Sequence, residues 1–299
     1  MPWDPVVLSR IRRLHLHARR LSDALRGGDH RSRRIGQAIE FADYVPYQAG
    51  MNLRQLDWKV RARTDRWVVR RHHTDHELPC HLVVDVSADL GTGRTAERAY
   101  PPLEGTKMGF ALTLAATLAM WWIHRGERIG LRLLGSDDGA TRALPARTGR
   151  RHLQAILRNL ASARPGPRAE LGQGLMGAAR TMRERGLAIV VTDGMEEPSE
   201  WLGALTGFRQ RGVDARLVHV LDQQELDLSY PSAAIFTGPE DGSRLPLDPV
   251  AARPVYEEVL GTYLEEVRRG VLSAGMTYHR AVSADPMVPL LHRLIRGIE

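Results

Sequence analysis

The sequence is poor in cysteine, in lysine and in long apolar runs. Its 299 residues include one cysteine, Cys80, so no internal disulfide can form and a disulfide-stabilised secreted fold is excluded. Lys59 and Lys107 are the two lysines of the chain. Arginine is used instead, a bias that a GC-rich genome also produces and to which we assign no function. Residues 1–20 lack a continuous apolar core, so the sequence predicts no signal peptide.

One apolar stretch, residues 108–123, raises the question of a membrane span. It contains 16 uncharged residues, with Lys107 before it and His124 after it. A helix that crosses a membrane needs about 20 apolar residues. Because the stretch is shorter and includes Thr113 and Thr117, it predicts a buried core helix instead. We therefore expect a cytoplasmic protein without a membrane span.

The net charge of +7 is confined to the first quarter of the chain. Residues 1–78 hold 16 basic and 9 acidic side chains, whereas the remainder holds 26 of each. This shift predicts two domains: 1–78, an N-terminal helix with a basic, partly β layer, and 79–299, an α/β domain with C-terminal helices. The arginines of residues 10–34 surround a helical apolar stripe. They are typical of a solvated helix face, so nucleic-acid binding is not favoured.

Residues 80–299 alternate short apolar runs with helical patterns. The runs at 81–87, 128–134, 187–192 and 215–221 are short and mainly apolar, the first of them is rich in β-branched residues, and 276–282 is a further candidate strand. Long helical patterns between such runs require crossover connections. The sequence therefore predicts an α/β fold of Rossmann-like type with a mainly parallel sheet, joined to the small partly β N-terminal layer.

Two of these strands end in acidic residues. Asp85, Ser87 and Asp89 stand at alternate positions where the first strand ends, and Asp193 follows the third strand. Because ligands bind beyond the carboxyl ends of parallel strands, we expect these side chains to lie close together. Carboxylate and hydroxyl oxygens are the ligands that Mg²⁺ prefers. Asp and Ser at such turns also cap helices, so an N-capping role is the alternative.

These strand ends and the segment before them resemble a known family. The residues that carry the resemblance in that segment are Glu40, Phe41, Tyr44, Tyr47, Gly50, Arg54, Asp57, Trp58, Ala62, Arg63 and Thr64, and LVVDVSAD, ELGQGL and IVVTDG follow. The pattern resembles the bacterial domain of unknown function 58 family. Its strand-end acids are similar to those of the von Willebrand factor A-type domain.

The resemblance implies an A-type core with a metal-ion-dependent adhesion site. In A-type domains an Asp and two Ser of D-x-S-x-S, a Thr and a further Asp hold Mg²⁺, which accepts a carboxylate from the partner protein. Asp85, Ser87 and Asp193 match this ligand set. Members of the narrower family are associated with MoxR-type AAA+ ATPases and are thought to act in protein assembly or metal insertion.

The strand-end signature departs from the A-type pattern at two positions. Asp89 stands in place of the second Ser, and Ala169 followed by Glu170 stands where the Thr is expected. The added carboxylate favours a cation but weakens the attraction of that cation for a partner's acid. The missing hydroxyl removes one ligand, which Glu170 or a water would have to replace. We therefore expect a degenerate site, either holding Mg²⁺ or empty.

The N-terminal signature also departs from its family. Gly50-Met51-Asn52 replaces the expected Gly-Asp, while Arg54, Asp57 and Trp58 are retained. A bidentate arginine–Asp57 pair above Trp58 would dock the small layer onto the core. We prefer this structural role to an ionic function.

The leading hypothesis is a non-enzymatic interaction protein, an adaptor between a MoxR-type AAA+ ATPase and an unidentified client protein. No H-E-x-x-H, G-x-S-x-G or C-x-x-C motif supports a common hydrolase or redox enzyme. The second hypothesis is a Mg²⁺-dependent phosphoryl-transfer or hydrolytic enzyme that uses Asp85, Asp89 and Asp193. The third is a nucleic-acid binder that uses the arginine-rich first quarter.

Overall fold

The computed structural model describes residues 5–28, 41–46, 60–61, 67–72, 78–91, 105–135, 142–166, 170–182, 185–230, 234–238 and 242–296. The chain forms two compact units, one of Met1–Leu25 with Leu78–Glu299 and the other of Arg26–Glu77. Most of the N-terminal helix is thus grouped with the larger unit, whereas the sequence placed it with residues 1–78. The division of the chain into folding domains at residue 78 stays a prediction.

The smaller unit contains a two-stranded antiparallel sheet. Strand β1, Phe41–Pro46, pairs with strand β2, Val68–His72. The guanidinium carbon of Arg61 lies 4.0 Å from the centre of the Trp67 ring, which is a cation–π contact. The partly β character predicted for this part of the chain is confirmed.

A six-stranded sheet forms the centre of the larger unit. The strands after β2 are β3 Cys80–Asp85, β4 Ile129–Leu134, β5 Arg142–Arg147, β6 Gly186–Thr192, β7 Val213–Leu221, β8 Ala234–Thr237, β9 Arg244–Leu247 and β10 Thr277–Val282. The order in the sheet is β10-β7-β6-β3-β4-β5, while β8 and β9 form a separate antiparallel hairpin. Every pair in the large sheet is parallel except β4–β5. The predicted α/β fold with a mainly parallel sheet is confirmed.

Helices cover both faces of the sheet. They are α1 Pro5–Gly28, α2 Lys107–His124, α3 Arg150–Ala161, α4 Leu171–Thr181, α5 Pro198–Trp201, α6 Thr206–Gln210, α7 Gln223–Asp227, α8 Pro249–Ser273 and α9 Met287–Ile295. Leu82 and Val84 of β3 join one core with α1, α2, α3 and α9. Val83 points to the other face and joins a second core with α4 and α8.

The apolar stretch at 108–123 is a core helix, as predicted. Every residue of α2 from Lys107 to Ile123 is buried. Thr106 caps the helix by accepting a hydrogen bond from the backbone N–H of Gly109 at 3.0 Å. Among the helices that the structure describes, none is long and apolar enough to cross a membrane.

Three elements differ from the sequence-based expectation. Strand β5 was not predicted because alternate residues are exposed and Pro145 lies within it, which an edge strand tolerates. The hairpin β8–β9 was also missed. The sequence predicts a helix at Pro254–Leu272, whereas helix α8 begins at Pro249, because Asp248 caps its first turn, and continues through Pro254.

Candidate functional site

The site lies at the carboxyl ends of two neighbouring parallel strands. β3 ends at Asp85 and β6 ends at Thr192. The strands pair in a register that sets Val84 opposite Val191, so Asp85 and Thr192 lie side by side. Asp193 is the next residue of the chain, which brings a second carboxylate to the same edge of the sheet. The common direction of the strands thus joins acids that are far apart in the sequence.

Both carboxylate oxygens of Asp85 accept hydrogen bonds from the protein. Oδ1 accepts from the backbone N–H of Ser87 at 2.9 Å, and Oδ2 accepts from the Thr192 hydroxyl at 2.7 Å. The Thr192 oxygen accepts in turn from the backbone N–H of Gly194 at 3.0 Å. Gly194 has φ +58°, in the left-handed region that glycine adopts without strain. The turn after β6 is therefore tied to Asp85.

A buried lysine lies beside Asp193. Lys107 Nζ donates to Asp193 Oδ2 at 2.8 Å and lies 2.6 Å from Glu225 Oε1. The side chains of Lys107 and Asp193 are 1% and 2% exposed, and that of Glu225 is 24% exposed. Two carboxylates from different parts of the chain thus hold one ammonium group away from water. We refer to Asp85, Thr192, Asp193, Lys107 and Glu225 as the strand-end cluster.

Glu225 is fixed by the first turn of α7. Asp222 caps this helix, with its Oδ1 accepting from the backbone N–H of Gln224 at 2.9 Å. Glu225 completes a capping box, because its Oε2 accepts from the backbone N–H of Asp222 at 3.2 Å. The hydroxyl of Ser283, just after β10, donates to Asp222 Oδ2 at 2.9 Å. The second partner of Lys107 therefore comes from a turn with a defined conformation.

The backbone around Asp193 is held by aromatic side chains. The Nε2 atom of His219 lies 2.8 Å from the Asp193 carbonyl oxygen, and its Nδ1 atom lies 2.9 Å from the Tyr278 hydroxyl. The Tyr263 hydroxyl of α8 donates to the carbonyl oxygen of Gly194. These contacts fix the turn that carries the Asp193 carboxylate.

Burial and charge shift the pKa values of the cluster. Burial, and then the negative charge of Asp193, raises the pKa of Asp85 to about 7, although the bonds from Thr192 and Ser87 oppose this shift. Burial alone would lower the pKa of Lys107, but the charges of Asp193 and Glu225 outweigh it and raise that pKa above its ordinary value. Burial lowers the pKa of His219 to about 4. Near neutral pH, Lys107 is therefore charged and His219 is neutral.

Three of the four residues predicted to bind a metal lie together. Asp85 and Asp193 flank Thr192, and Ser87 is buried next to Asp85, where it forms a β-bridge with Gly166. Asp89 is partly exposed and begins a short 3₁₀ turn, Asp89–Gly91. The role of these residues as metal ligands stays a prediction.

Glu170 and the N-terminal signature complete the set of predicted site residues. Glu170 precedes α4 at the N-cap position but its side chain makes no capping hydrogen bond. The backbone N–H of Leu171 donates instead to Glu196 Oε1 at 2.9 Å. Ala169, and the N-terminal signature residues Arg54, Asp57 and Trp58, lie outside the described residues. Their proposed roles are therefore not addressed by the structure.

The cluster as arranged does not fit a divalent cation. Mg²⁺ requires about six oxygen ligands in octahedral geometry. Both oxygens of Asp85 already accept hydrogen bonds, and Asp193 Oδ2 holds the Lys107 ammonium. Within the described ranges, no group of three or more His, Cys, Asp or Glu side chains is arranged to hold a metal ion. Magnesium binding stays a prediction that a binding measurement can test.

Sequence reasoning missed Lys107, Glu225 and His219. A signal for Lys107 was present, because a lysine directly before an uninterrupted apolar helix is placed where its charge needs a buried partner. Glu225 and His219 gave no comparable signal. Glu225 lies on a helix of five residues, and His219 lies within an apolar strand.

Comparison with known proteins identifies relatives over most of the chain. The family model described as Protein of unknown function DUF58 matches residues 43–261. The uncharacterized protein Rv1480 of Mycobacterium tuberculosis is 29% identical over 279 residues, which cover 91% of this chain and 83% of that protein. The uncharacterized protein Mb1516 of Mycobacterium bovis matches to the same extent.

Solved structures with a similar fold are more distant in sequence. An aerotolerance-related membrane protein from Bacteroides fragilis is 12% identical, with a TM-score of 0.46, over 74% of this chain and 98% of its own. The conserved hypothetical protein BatB from Bacteroides thetaiotaomicron is 14% identical, with a TM-score of 0.44, over 73% and 97%. The SpRpn10 VWA domain is 11% identical, with a TM-score of 0.41, over 72% and 93%. These likenesses concern the fold alone.

Proposed function

Since the chain belongs to the family described as Protein of unknown function DUF58, as its sequence predicted, we propose that it is a non-enzymatic protein-interaction protein. Its partner in this proposal is a MoxR-type AAA+ ATPase, and the two act together in the assembly or maturation of a client protein. The proposal places both proteins in the cytoplasm.

The observation that carries the proposal is an apolar surface next to the strand-end cluster. Val255 and Val259 of α8 are 66% and 62% exposed and are neighbours on one side of the helix. We call these two residues the apolar surface. Adjacent exposed aliphatic side chains of this kind are typical of surfaces that another protein covers.

The apolar surface is connected to the strand-end cluster through α8. The Tyr256 hydroxyl donates to the carbonyl oxygen of Glu225 at 2.6 Å, and the Tyr263 hydroxyl donates to that of Gly194. Helix α8 therefore lies against both turns that carry the cluster acids. A partner that binds along the first half of α8 would sit beside the edge of the sheet at which A-type domains bind their ligands.

A retention experiment tests the proposal. A MoxR-type AAA+ ATPase from the same organism is passed over the immobilised full-length protein, and we expect it to be retained. The double variant V255E/V259E places two charges on the apolar surface, so retention should fall at least tenfold. Leu272→Glu is the matched control, because Leu272 is 46% exposed near the other end of α8. Absence of retention by the unmodified chain contradicts the proposal.

The enzymatic hypothesis makes a different prediction. It requires phosphatase or nuclease turnover that depends on Mg²⁺ and is lost in Asp85→Ala. The interaction proposal expects no turnover across such substrates. Turnover that disappears with Asp85→Ala but persists in V255E/V259E would favour the enzyme and count against the adaptor.

A further inference from the structure

We propose that the Lys107 ammonium is the resident cation of the strand-end cluster, and that it makes this edge of the sheet independent of divalent metal ions. The inference concerns the charge balance within the chain and does not depend on which partner binds. It rests on the position of Lys107, on its two ionic contacts and on the hydrogen bonds already made by Asp85.

The position of Lys107 is unfavourable without the cluster acids. Lys107 is the first residue of α2, where the helix dipole disfavours a positive charge. Its side chain is 1% exposed, so the ammonium has also lost its contact with water. Asp193 and Glu225 supply the compensation through contacts of 2.8 and 2.6 Å. Charge-assisted contacts of this length are among the strongest that a protein makes.

The buried carboxylates of Asp193 and Asp85 would likewise be unfavourable without a nearby positive charge. Asp193 and Asp85 are 1% and 4% exposed, and Asp85 accepts a hydrogen bond at 2.7 Å from Thr192, the residue before Asp193. Two buried carboxylates at one strand edge repel each other unless a cation lies between or beside them. In an A-type site that cation is a metal ion. Here Lys107 is a cation that the chain itself provides.

A divalent ion and the Lys107 ammonium would compete for the same oxygen. The ammonium is bonded to Asp193 Oδ2, and Asp85 directs its oxygens to Ser87 and Thr192. A metal bound to Asp193 would therefore place a double positive charge next to a buried ammonium, which like-charge repulsion opposes. The capping box holds Glu225 in place, so the lysine has a second partner that keeps it in the cluster.

Titration with Mn²⁺ tests this inference on the full-length chain. Mn²⁺ is used as the probe because it prefers oxygen ligands and its binding is measured directly by electron paramagnetic resonance. We expect the wild-type chain to bind no Mn²⁺ at this site at millimolar concentration and its Tm to be unaffected by Mn²⁺, Mg²⁺ or a chelator. Lys107→Met removes the charge with little change in length, so the Tm should fall by about 5 to 10 °C.

The variant should also gain a metal site. Lys107→Met is expected to bind one Mn²⁺ and to recover part of the lost Tm, since a ligand that binds the folded state stabilises it. The double variant K107M/D193N is the control, because it lacks a cluster carboxylate and should lose the response to Mn²⁺.

Two results would overturn the inference. The first is binding of one Mn²⁺ by the wild-type chain that Asp193→Asn abolishes. The second is a folded Lys107→Met variant that binds no Mn²⁺. If Lys107→Met does not fold without metal, recovery of its folding in Mn²⁺ supports the inference. If it does not fold in Mn²⁺ either, the titration of the wild-type chain decides.

Discussion

Two regions of the larger unit distribute polar and apolar side chains in opposite ways. In the strand-end cluster, charged groups such as Lys107 and Asp193 are buried. In the apolar surface on α8, the aliphatic side chains of Val255 and Val259 are exposed. Both arrangements run against the usual rule that charges face water and aliphatic groups face the core.

The two regions differ in whether their side chains are compensated by groups of the same chain. The buried charges of the cluster are matched inside the chain, by an ion pair, by a hydroxyl and by backbone N–H groups. The exposed valines have no such internal compensation, and burying them would require another molecule. A buried polar cluster specifies structure when its members are satisfied, whereas an exposed apolar surface is where association gains free energy. The strand-end cluster therefore stabilises the fold, whereas the apolar surface is the region that the proposed function assigns to a partner.

The largest expected effect comes from breaking the buried ion pair. Asp193→Ala removes the more deeply buried of the two carboxylates that contact the Lys107 ammonium. Because a buried charge is then only partly compensated, the free energy of unfolding should fall by about 3 to 5 kcal/mol. Guanidinium unfolding at neutral pH measures the loss. Asp23→Ala is the matched control, because Asp23 is exposed and lies 3.8 Å from Arg19 in a surface pair. Such a pair contributes about 0 to 1 kcal/mol.

Equal losses in the two variants would refute this contrast. They would mean that the Lys107–Asp193 contact contributes no more than a surface pair. The cluster would then be as dispensable to the fold as the exposed surface.

A smaller effect is expected from the pH dependence of His219. Burial lowers the pKa of His219 from 6.5 to about 4, so the folded chain keeps this side chain neutral where the unfolded chain protonates it. The unfolded state binds more protons in this window, and stability must fall as the pH falls from 6.5 to 4. The loss from this residue amounts to about 3 kcal/mol.

Comparison with His219→Gln isolates this contribution. Guanidinium unfolding of both proteins at pH 4 to 8 should give a difference in unfolding free energy that changes across the window. Asp85, with its pKa raised to about 7, contributes a dependence of opposite sign, but it is present in both proteins. Parallel pH profiles would show that His219 is not buried and neutral.

The sequence predicted the sheet well because parallel strands are buried on both faces. Strands β3, β4, β6 and β7 are mainly aliphatic and mostly buried, and the sequence predicted each of them. Strand β5 is half exposed, and its Arg142-Ala-Leu-Pro-Ala-Arg147 sequence contains the proline that argues against a strand. A strand at the edge of a sheet tolerates both features, but its edge position depends on the order of the strands in the sheet, which the local sequence does not give.

The site was predicted in part for a related reason. Asp85 and Asp193 stand at the ends of parallel strands, and topology alone brings strand ends together. Lys107 and Glu225 meet because α2 and α7 both begin at this edge of the sheet, and no local pattern reports that encounter. The spacing of residues along the sequence therefore could not predict that the cluster contains an ion pair and is not a group of free acids.

The smallest expected effect concerns the apolar surface itself. Val259→Ala should change the free energy of unfolding by less than about 0.5 kcal/mol, because Val259 is 62% exposed and makes few contacts to lose. Val267→Ala is the same change on the same helix, but Val267 is fully buried, so it should cost at least about 1.5 kcal/mol. Guanidinium unfolding of both variants measures the difference. A cost for Val259→Ala as large as that for Val267→Ala would mean that the chain covers this surface itself, and the contrast with the strand-end cluster would fail.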